Sequence, residues 1–424
     1  MKKVTAIVIG AGARGITYAT MGTQHCPEFE LVAYADPDPV RQNAFRERFP
    51  NAVCYNYYQE ILAQPKMADV AIICTQDRLH LDPALKAIDL GYHLLLEKPV
   101  ACTAQECLQI ADAANAKGVQ VLVCHVLRFT PYFRTIKKLL DEGKVGKIMN
   151  MDHLEPIGNV HYSHSYVRGD WQNSDMSTPL LLAKSCHDLD MLYWLSGEHC
   201  TRVQSFGSLS YFTKANKPEG APEYCVQGCP VEKNCPYSSK TVYQEIKFGR
   251  RTSTKKPNPT DEDVLECITN SRYGKCVFQS DNNVCDHQTV NLEYESGATA
   301  TLTVSAFSPG GRKTRITGTK GELYGEMRND YVTVYDFETR ETTEYKIKDA
   351  VLDETIDGGH GGGDEAIIMD LIKVLNGEYH GNTIATIDET VMESHLVGFA
   401  AEESRANGTV VDMKEYYERI RSTM

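Results

Sequence analysis

Two groups of residues carry recognisable chemistry. One is Glu97-Lys98-Pro99, which closes the apolar run His93-Leu94-Leu95-Leu96. The other is the glycine loop Gly10-Ala11-Gly12-Ala13-Arg14-Gly15, about eighty residues earlier. The loop alone points to a phosphate-bearing cofactor. A lysine projecting from a later strand end of the same sheet places a reactive group beside that cofactor, because ligands of doubly wound sheets bind at strand ends. An ammonium on a flexible stem, with a pKa its surroundings can lower, suits proton transfer at a hydroxyl or carbonyl. The competing reading of Lys98 is a solvated side chain before a proline-marked loop.

Gly10-x-Gly12-x-x-Gly15 lies between a predicted strand and a predicted helix, the context that gives this spacing its meaning. Gly10 allows the tight turn, Gly12 lets the backbone approach a pyrophosphate, and Gly15 lets the helix pack close on the strand. Ala13 and Arg14 complete the loop. Asp36 closes the second strand 21 residues after Gly15. A carboxylate there holds the adenine-ribose hydroxyls and repels a 2′-phosphate. NAD is therefore the expected cofactor rather than NADP, unless Arg41 folds back and reverses the preference.

The elements that must position these residues alternate over the first ~128 positions. Strands are predicted at Val4–Ile9, Phe29–Ala35, Asp69–Cys74, His93–Leu96 and Gln120–Cys124. Helices are predicted to about Gly22, over Asp82–Leu90, and over Thr103–Lys117, where Thr103 and Glu106 form a capping box. Short β-branched runs of this kind are strands buried on both faces of a parallel sheet. After Phe129-Thr130-Pro131 the pattern changes. A helix over Tyr132–Asp141 precedes strands of alternating polarity at 148–155, 203–212, 289–294, 298–307, 312–317, 331–337 and 342–347. One-sided alternation implies an antiparallel sheet with a single packed face. The helices at 186–195, 364–375 and 389–407 are expected to cover it. Thr299, Thr301 and Thr303 alternate on the other face. Residues ~213–280, rich in Pro, Lys and Cys, read as a loop insertion. The fold class is thus α/β: a doubly wound parallel sheet of Rossmann type over 1–128, then an α+β domain over 129–424 with an open, mainly antiparallel sheet.

With these residues in place, the chain resembles the glucose–fructose oxidoreductase, inositol dehydrogenase and rhizopine-catabolism (Gfo/Idh/MocA) family over nearly its full length. The marks are the glycine loop, Thr75 with His80, Glu97-Lys98-Pro99, His125-x-x-Arg128-Phe129, Ser163 to Trp171, and Lys184-Ser185-Cys186-His187-Asp188-Leu189-Asp190. The resemblance implies an NAD(P)-dependent oxidoreductase of sugars or polyols, whose second domain carries the substrate site and a homo-oligomer interface on its sheet. It makes Lys98 and His187 the catalytic pair. It puts Thr75, His80, Glu97 and His125 with the cofactor, and Arg128 with the substrate. The chain departs from the family pattern at Ala183, where many dehydrogenases carry an aspartate four residues before the histidine.

His187 is the natural acid–base group near neutral pH. Lys98 would share the substrate oxygen and stabilise alkoxide charge. His187 opens a predicted helix, and a helix N-terminus favours the neutral base; the competing reading is a mere cap. Arg168, Trp171 and Lys184 suit a sugar site, with an indole face for the ring and cations for a carboxylate or dense hydroxyls. Trp171 could instead anchor a domain interface. His164 lies in a predicted loop with His153, His161 and Tyr162, and the His161-x-x-His164 spacing lacks a matching metal partner. Asp364, after the glycine run 358–363, reads as a helix N-cap, and His360 could reach the cleft.

Cys225, Cys229 and Cys235, two of them followed by proline, lie within eleven residues of the insertion. In a reducing compartment a structural zinc is a more natural staple for such a loop than a disulfide. Cys276 is the expected fourth ligand, by resemblance to relatives with a similar insertion; Cys267 and Cys285 are reserves. An iron–sulfur cluster or free thiols are the alternatives.

Composition bounds the function. A net charge of −13 argues against nucleic acid or an anionic membrane as partner. No apolar stretch approaches the ~20 residues of a membrane helix, and the run after Met1-Lys2-Lys3 breaks at Gly10, too early for a signal peptide. A cytoplasmic location is expected. The leading function is an NAD-dependent oxidoreductase acting on a carbinol of a small-molecule carbohydrate. The alternatives are an NAD-dependent glycosidase working by transient ring-hydroxyl oxidation and elimination, which Ala183 keeps open, and a non-catalytic NAD-binding regulator.

Overall fold

A computed structural model describes residues 2–256, 258–347 and 363–424. Among these residues fifteen strands form two sheets. The first contains β1 (Val4–Ile9), β2 (Phe29–Ala35), β3 (Val53–Tyr55), β4 (Val70–Ile73), β5 (His93–Leu96) and β6 (Val121–Val123), in the order β3-β2-β1-β4-β5-β6. All pairs are parallel. Ile7, Val8, Val70, Ala71, Ile72 and Leu95 are fully buried, as strands covered by helices on both faces must be. The order reverses between β1 and β4. The loops beyond their carboxyl ends therefore diverge and open a crevice. The glycine loop leaves β1 there, Thr75 follows β4, and Glu97-Lys98 follows β5.

The second sheet contains β7 (Ile148–Pro156), β8 (Cys200–Ser208), β9 (His287–Tyr294), β10 (Thr299–Ser305), β11 (Lys313–Gly318), β12 (Gly321–Glu326), β13 (Tyr331–Asp336), β14 (Thr342–Lys346) and β15 (Val411–Asp412). Its order is β14-β13-β12-β11-β7-β10-β9-β8-β15. It is antiparallel except at the parallel pair β7–β10. Alternation holds: Ala300, Leu302 and Val304 are buried, while Thr299, Thr301 and Thr303 face the other way. The helices Cys186–Ser196 and Val397–Asn407 lie on the packed face.

Two expectations are corrected. The helix Gly363–Leu375 does not cover the second sheet. Its Ile367, Ile368, Leu371 and Ile372 pack with Tyr18, Ala19 and Val126 against the first domain. Apolar periodicity marks a face but not the partner it meets. The insertion is also more than loop. The helix Asp261–Asn270 begins at a Thr260/Asp263 capping box, and Val264 and Ile268, one turn apart, join Val242, Tyr243 and Tyr273 in a small separate core. Of the glycine run 358–363, residues 358–362, with His360, lie outside the described residues. Asp364 sits inside the first helical turn and ion-pairs with Arg14 at 2.5 Å.

Candidate active site

The glycine loop is shaped for a ligand to approach its backbone. A Cβ at Gly10, where φ is +97°, would lie 2.6 Å from the Cys74 carbonyl oxygen, and one at Gly15 would lie 2.1 Å from the Gly10 oxygen. A Cβ at Gly12 would meet nothing nearer than Arg41 Nη1 at 3.8 Å. The space a dinucleotide pyrophosphate needs is therefore at Gly12. Asp36 closes the loop from below: its carboxylate accepts the Ala11 and Asp38 N–H groups at 2.8 and 2.9 Å. Arg41 folds back to within 3.8 Å of the same carboxylate.

Arg14 fixes the wall opposite. Its guanidinium donates to Glu97 at 2.6 Å and to Asp364, and Tyr18 donates to Glu97 at 2.8 Å. Burial alone would raise the Glu97 carboxyl; Arg14 and Lys98 outweigh it and hold the pKa below its ordinary value. His80 stands with Nδ1 2.8 Å from the Pro99 oxygen and Nε2 3.0 Å from the Thr75 oxygen. It thereby ties the loop after β4 to the loop after β5. The Lys98–Pro99 peptide bond is cis.

Lys98 reaches across to the second domain and donates to the Ala183 carbonyl at 2.7 Å. Four residues on, His187 opens the helix Cys186–Ser196 with 3% of its surface exposed. Its Nδ1 lies 3.4 Å from Nδ1 of His125, which follows β6. Burial, then Arg128 and Lys98, push the His125 imidazolium far below its ordinary pKa, so this ring is neutral. His395 packs edge-on against His125 and accepts the Val100 N–H at 2.8 Å; burial and His125 take its pKa to about 3.

A buried charge network backs the pair. Arg312 Nε donates to Asp188 at 2.6 Å, His153 Nε2 lies 3.0 Å from the same carboxylate, and Arg312 Nη2 is 2.5 Å from Glu155. Lys184 lies 3.9 Å from Glu155, and its burial lowers the ammonium pKa. Burial, then Lys184, likewise holds His161 well below its ordinary value. Lys184, Arg312 and Glu155 thus form one buried cluster next to the segment that Lys98 bonds.

Comparison with known proteins agrees with this geometry. The model of the oxidoreductase family, NAD-binding Rossmann fold, matches residues 4–125, and that of the oxidoreductase family, C-terminal alpha/beta domain, matches residues 137–413. The chain belongs to the Gfo/Idh/MocA oxidoreductase family. The protein YteT of Bacillus subtilis (strain 168), named as an oxidoreductase, is 24% identical over 385 residues, covering 88% of each chain. Levoglucosan dehydrogenase of Pseudarthrobacter phenanthrenivorans is 27% identical over 207 residues, 47% of this chain and 52% of that protein. The match thus spans about half the length of that relative. A solved levoglucosan dehydrogenase, in complex with NADH and levoglucosan, has the same fold: TM-score 0.70 at 18% identity, covering 97% of this chain and 100% of that one.

Within this Gfo/Idh/MocA chain the predicted residues divide. Gly10, Gly12, Ala13, Arg14, Gly15, Asp36, Thr75, His80, Glu97, Lys98 and His125 lie in the glycine loop or at or just beyond the carboxyl ends of the first sheet's strands, while in the second domain His187 meets His125 and Lys184 lies near Glu155. Three of the expected substrate residues are used inside the protein instead. Arg128 is 1% exposed and makes a two-point pair with Asp190 at 2.8 and 2.6 Å. His164 is in a buried helical turn rather than an exposed loop. It bonds the Tyr243 hydroxyl at 3.0 Å and stacks on Tyr273, and burial takes its pKa to about 4. Arg168 donates to the Lys275 and Tyr237 carbonyls at 2.8 and 2.7 Å. Spacing brought these residues to the right segment but could not give their direction: the insertion supplies the partners that turn them inward. Trp171 is half-buried near Tyr166.

The zinc expectation is corrected as a preformed centre. Among the described residues no group of three or more His, Cys, Asp or Glu side chains is spaced to hold a metal ion. Cys225, Cys229, Cys235 and Cys276 do line one cavity together. The charge network of Glu155, Asp188 and Arg312 was not foreseen. Asp188 follows His187 directly, but Glu155 and Arg312 meet only through the β7–β11 register.

Proposed function

We propose that the chain is an NAD-dependent oxidoreductase that moves hydride to or from a carbinol carbon of a sugar or sugar derivative. The observation that carries this reading is the bond from Lys98, at the end of β5, to the Ala183 carbonyl, four residues before His187. NAD, when bound at the glycine loop, supplies the hydride acceptor. Gly12 would admit the pyrophosphate and Asp36 would face the adenine ribose. His187 accepts the hydroxyl proton and returns it in the reverse direction. The neutral His125 beside it gives that proton a place to be shared. Lys98 holds the substrate oxygen and stabilises the alkoxide charge as the C–H bond breaks. Glu97, pinned by Arg14 and Tyr18, keeps a negative charge next to Lys98.

Lys184, 3.9 Å from Glu155, is the cation that would meet a carboxylate or clustered hydroxyls on the substrate side. Ala183 favours a second reading. Without the aspartate that would polarise His187, the same residues suit a cycle in which a ring hydroxyl is oxidised only transiently and a glycosidic bond is eliminated. A carbohydrate panel separates the two. Steady growth of NADH absorbance with a free sugar supports the dehydrogenase. Aglycone release without net NADH supports the glycosidase. Neither signal, in protein that binds NAD, would leave the regulator reading and overturn both.

A further inference from the structure

A histidine that takes a proton at one ring nitrogen must carry a proton at the other, and a fixed acceptor there holds the ring in that tautomer. A carboxylate often fills this place. At position 183 the chain has alanine, buried, with its carbonyl taken by Lys98. The acceptor for His187 has to come from another element.

His125 stands in the right place. Its Nδ1 is 3.4 Å from Nδ1 of His187, and the two rings meet edge to face, with centroids 5.4 Å apart and planes at 78°. The His125 ring is fully buried, and the backbone on either side fixes it. The His125 N–H donates to the Val123 carbonyl at 2.7 Å, and the His125 carbonyl accepts the Arg128 N–H at 3.2 Å.

Two neutral imidazoles that meet Nδ1 to Nδ1 hold one proton between them. With none, two lone pairs would face each other; with two, the hydrogens would collide. The tautomers are therefore opposed: a proton on Nδ1 of one ring puts the proton of the other ring on its Nε2. The neighbours decide which ring holds the shared proton. Asp190 Oδ2 lies 3.8 Å from His125 Nδ1, beyond a hydrogen bond, and both Asp190 oxygens are taken by Arg128. It does not draw the proton onto His125. Glu97 and Asp188 act on the ring at longer range, against Arg128 and Lys98. Each is already engaged, Glu97 by Arg14 and Tyr18, Asp188 by Arg312 and His153. His395 meets His125 only edge-on, with centroids 6.2 Å apart. Nε2 of His125 is buried and has no hydrogen-bond partner among the described residues. It is the atom left to carry His125's own proton, which a water or ligand oxygen would satisfy.

We propose that His125 is the positioning residue of the acid–base histidine: its Nδ1 lone pair accepts the Nδ1–H of His187, which leaves Nε2 of His187 unprotonated to take the hydroxyl proton. The assignment rests on the reading of His187 as the base. As the substrate O–H bond breaks, an N–H bond forms at Nε2 of His187, and its Nδ1–H now donates to His125 from a positive ring. The proton stays on His187, because burial, Arg128 and Lys98 oppose a charge on His125. The same proton returns to the substrate oxygen in the reverse direction. A neutral acceptor orients His187 without adding a further negative charge beside Glu97 and Asp190.

The test uses the full chain without substrate, its 13 histidines labelled with nitrogen-15. Long-range proton–nitrogen correlation spectra near neutral pH separate the two tautomers, and loss of signals in His187→Gln and in His125→Leu assigns the rings. His187 should be the Nδ1–H tautomer and His125 the Nε2–H tautomer. In His125→Leu the His187 signals should move to the averaged pattern of an unconstrained ring. His125→Asn, whose amide oxygen stands near the place of Nδ1, should restore the native pattern. With a sugar turned over in the carbohydrate panel, His125→Leu should lower kcat roughly 10- to 100-fold with KM for the sugar little changed, and His125→Asn should recover most of the loss. If His125→Leu does not fold, the native spectrum decides. An Nε2–H tautomer at His187, or a His187 pattern unchanged in His125→Leu, would overturn the assignment. A panel without turnover would instead sink the reading of the reaction, since the tautomer is read without substrate.

Discussion

Lys98→Met removes an ammonium and keeps a stem of similar length. If the ammonium stabilises alkoxide charge, kcat should fall at least ~100-fold while NAD binding stays nearly unchanged. Stopped turnover of the best substrate, beside a fluorescence titration of NAD, reads both, and near-normal turnover would remove Lys98 from the mechanism. Asp36→Ala tests the other end of the crevice. Its loss frees Arg41, now 3.8 Å away, for a 2′-phosphate, so the NAD/NADP ratio of kcat/KM should move toward NADP; an unchanged ratio would mean another group sets the preference. The residues of both tests were legible in the sequence because each belongs to a short local pattern: a glycine loop, a strand-ending carboxylate, a lysine before proline. Arg128, His164 and Arg168 have buried protein partners that the sequence did not show, because a pattern in one segment carries no information on where a long or aromatic side chain turns. Arg168 points to carbonyls at 237 and 275, distant in sequence and joined only by the fold.

At the scale of elements, caps and ion pairs set the expected energetics. Thr103 accepts the Glu106 N–H, and Glu106 accepts the N–H of Thr103. Thr103→Ala should therefore cost about 1 kcal/mol of stability in a denaturant titration. The Asp188 carboxylate links the helix Cys186–Ser196 to β7 and to Arg312. Burial would raise its pKa, but Arg312 and His153 outweigh burial and hold it below the ordinary value. A depressed folded-state pKa lends stability that is full above the unfolded value, near pH 4, and fades as pH falls through the folded one. The difference in unfolding free energy between the native chain and Asp188→Asn should thus shrink from pH 7 toward pH 3, and a constant difference would contradict it. The elements themselves followed from period and capping, including the Thr103/Glu106 box. What did not follow was assembly. The apolar face of Gly363–Leu375 reads equally well against either sheet, and only packing beside Tyr18 and Val126 decides it. The helix Asp261–Asn270 was obscured by the prolines and lysines before it, although Val264 and Ile268 carry the helical period.

At the scale of the molecule, the second sheet leaves one face without a covering layer among the described residues. Register aligns Phe206, Thr289, Thr303, Leu154, Lys313 and Glu326 in one row across five neighbouring strand pairs. Phe206 is 60% exposed, and Tyr324 and Tyr335, on the same face, are 39% exposed each. Threonines at the centre, aromatic groups toward both sides and charges paired within the face, Lys313 with Glu326 and Arg315 with Glu322, make a surface of the kind that pairs with a copy of itself. We expect the protein to be a homo-oligomer through this face. Light scattering of the native chain should return a multiple of its 47.4 kDa mass. Thr303→Arg puts a cation at the centre of the row, where a two-fold copy would bring a second one opposite, and like charges facing each other without water are costly. The variant should run at monomer mass while keeping its native circular dichroism, because Thr303 touches no packed core. A native chain that is already monomeric, or a Thr303→Arg variant of undiminished mass, would place the interface elsewhere and leave the open face to solvent.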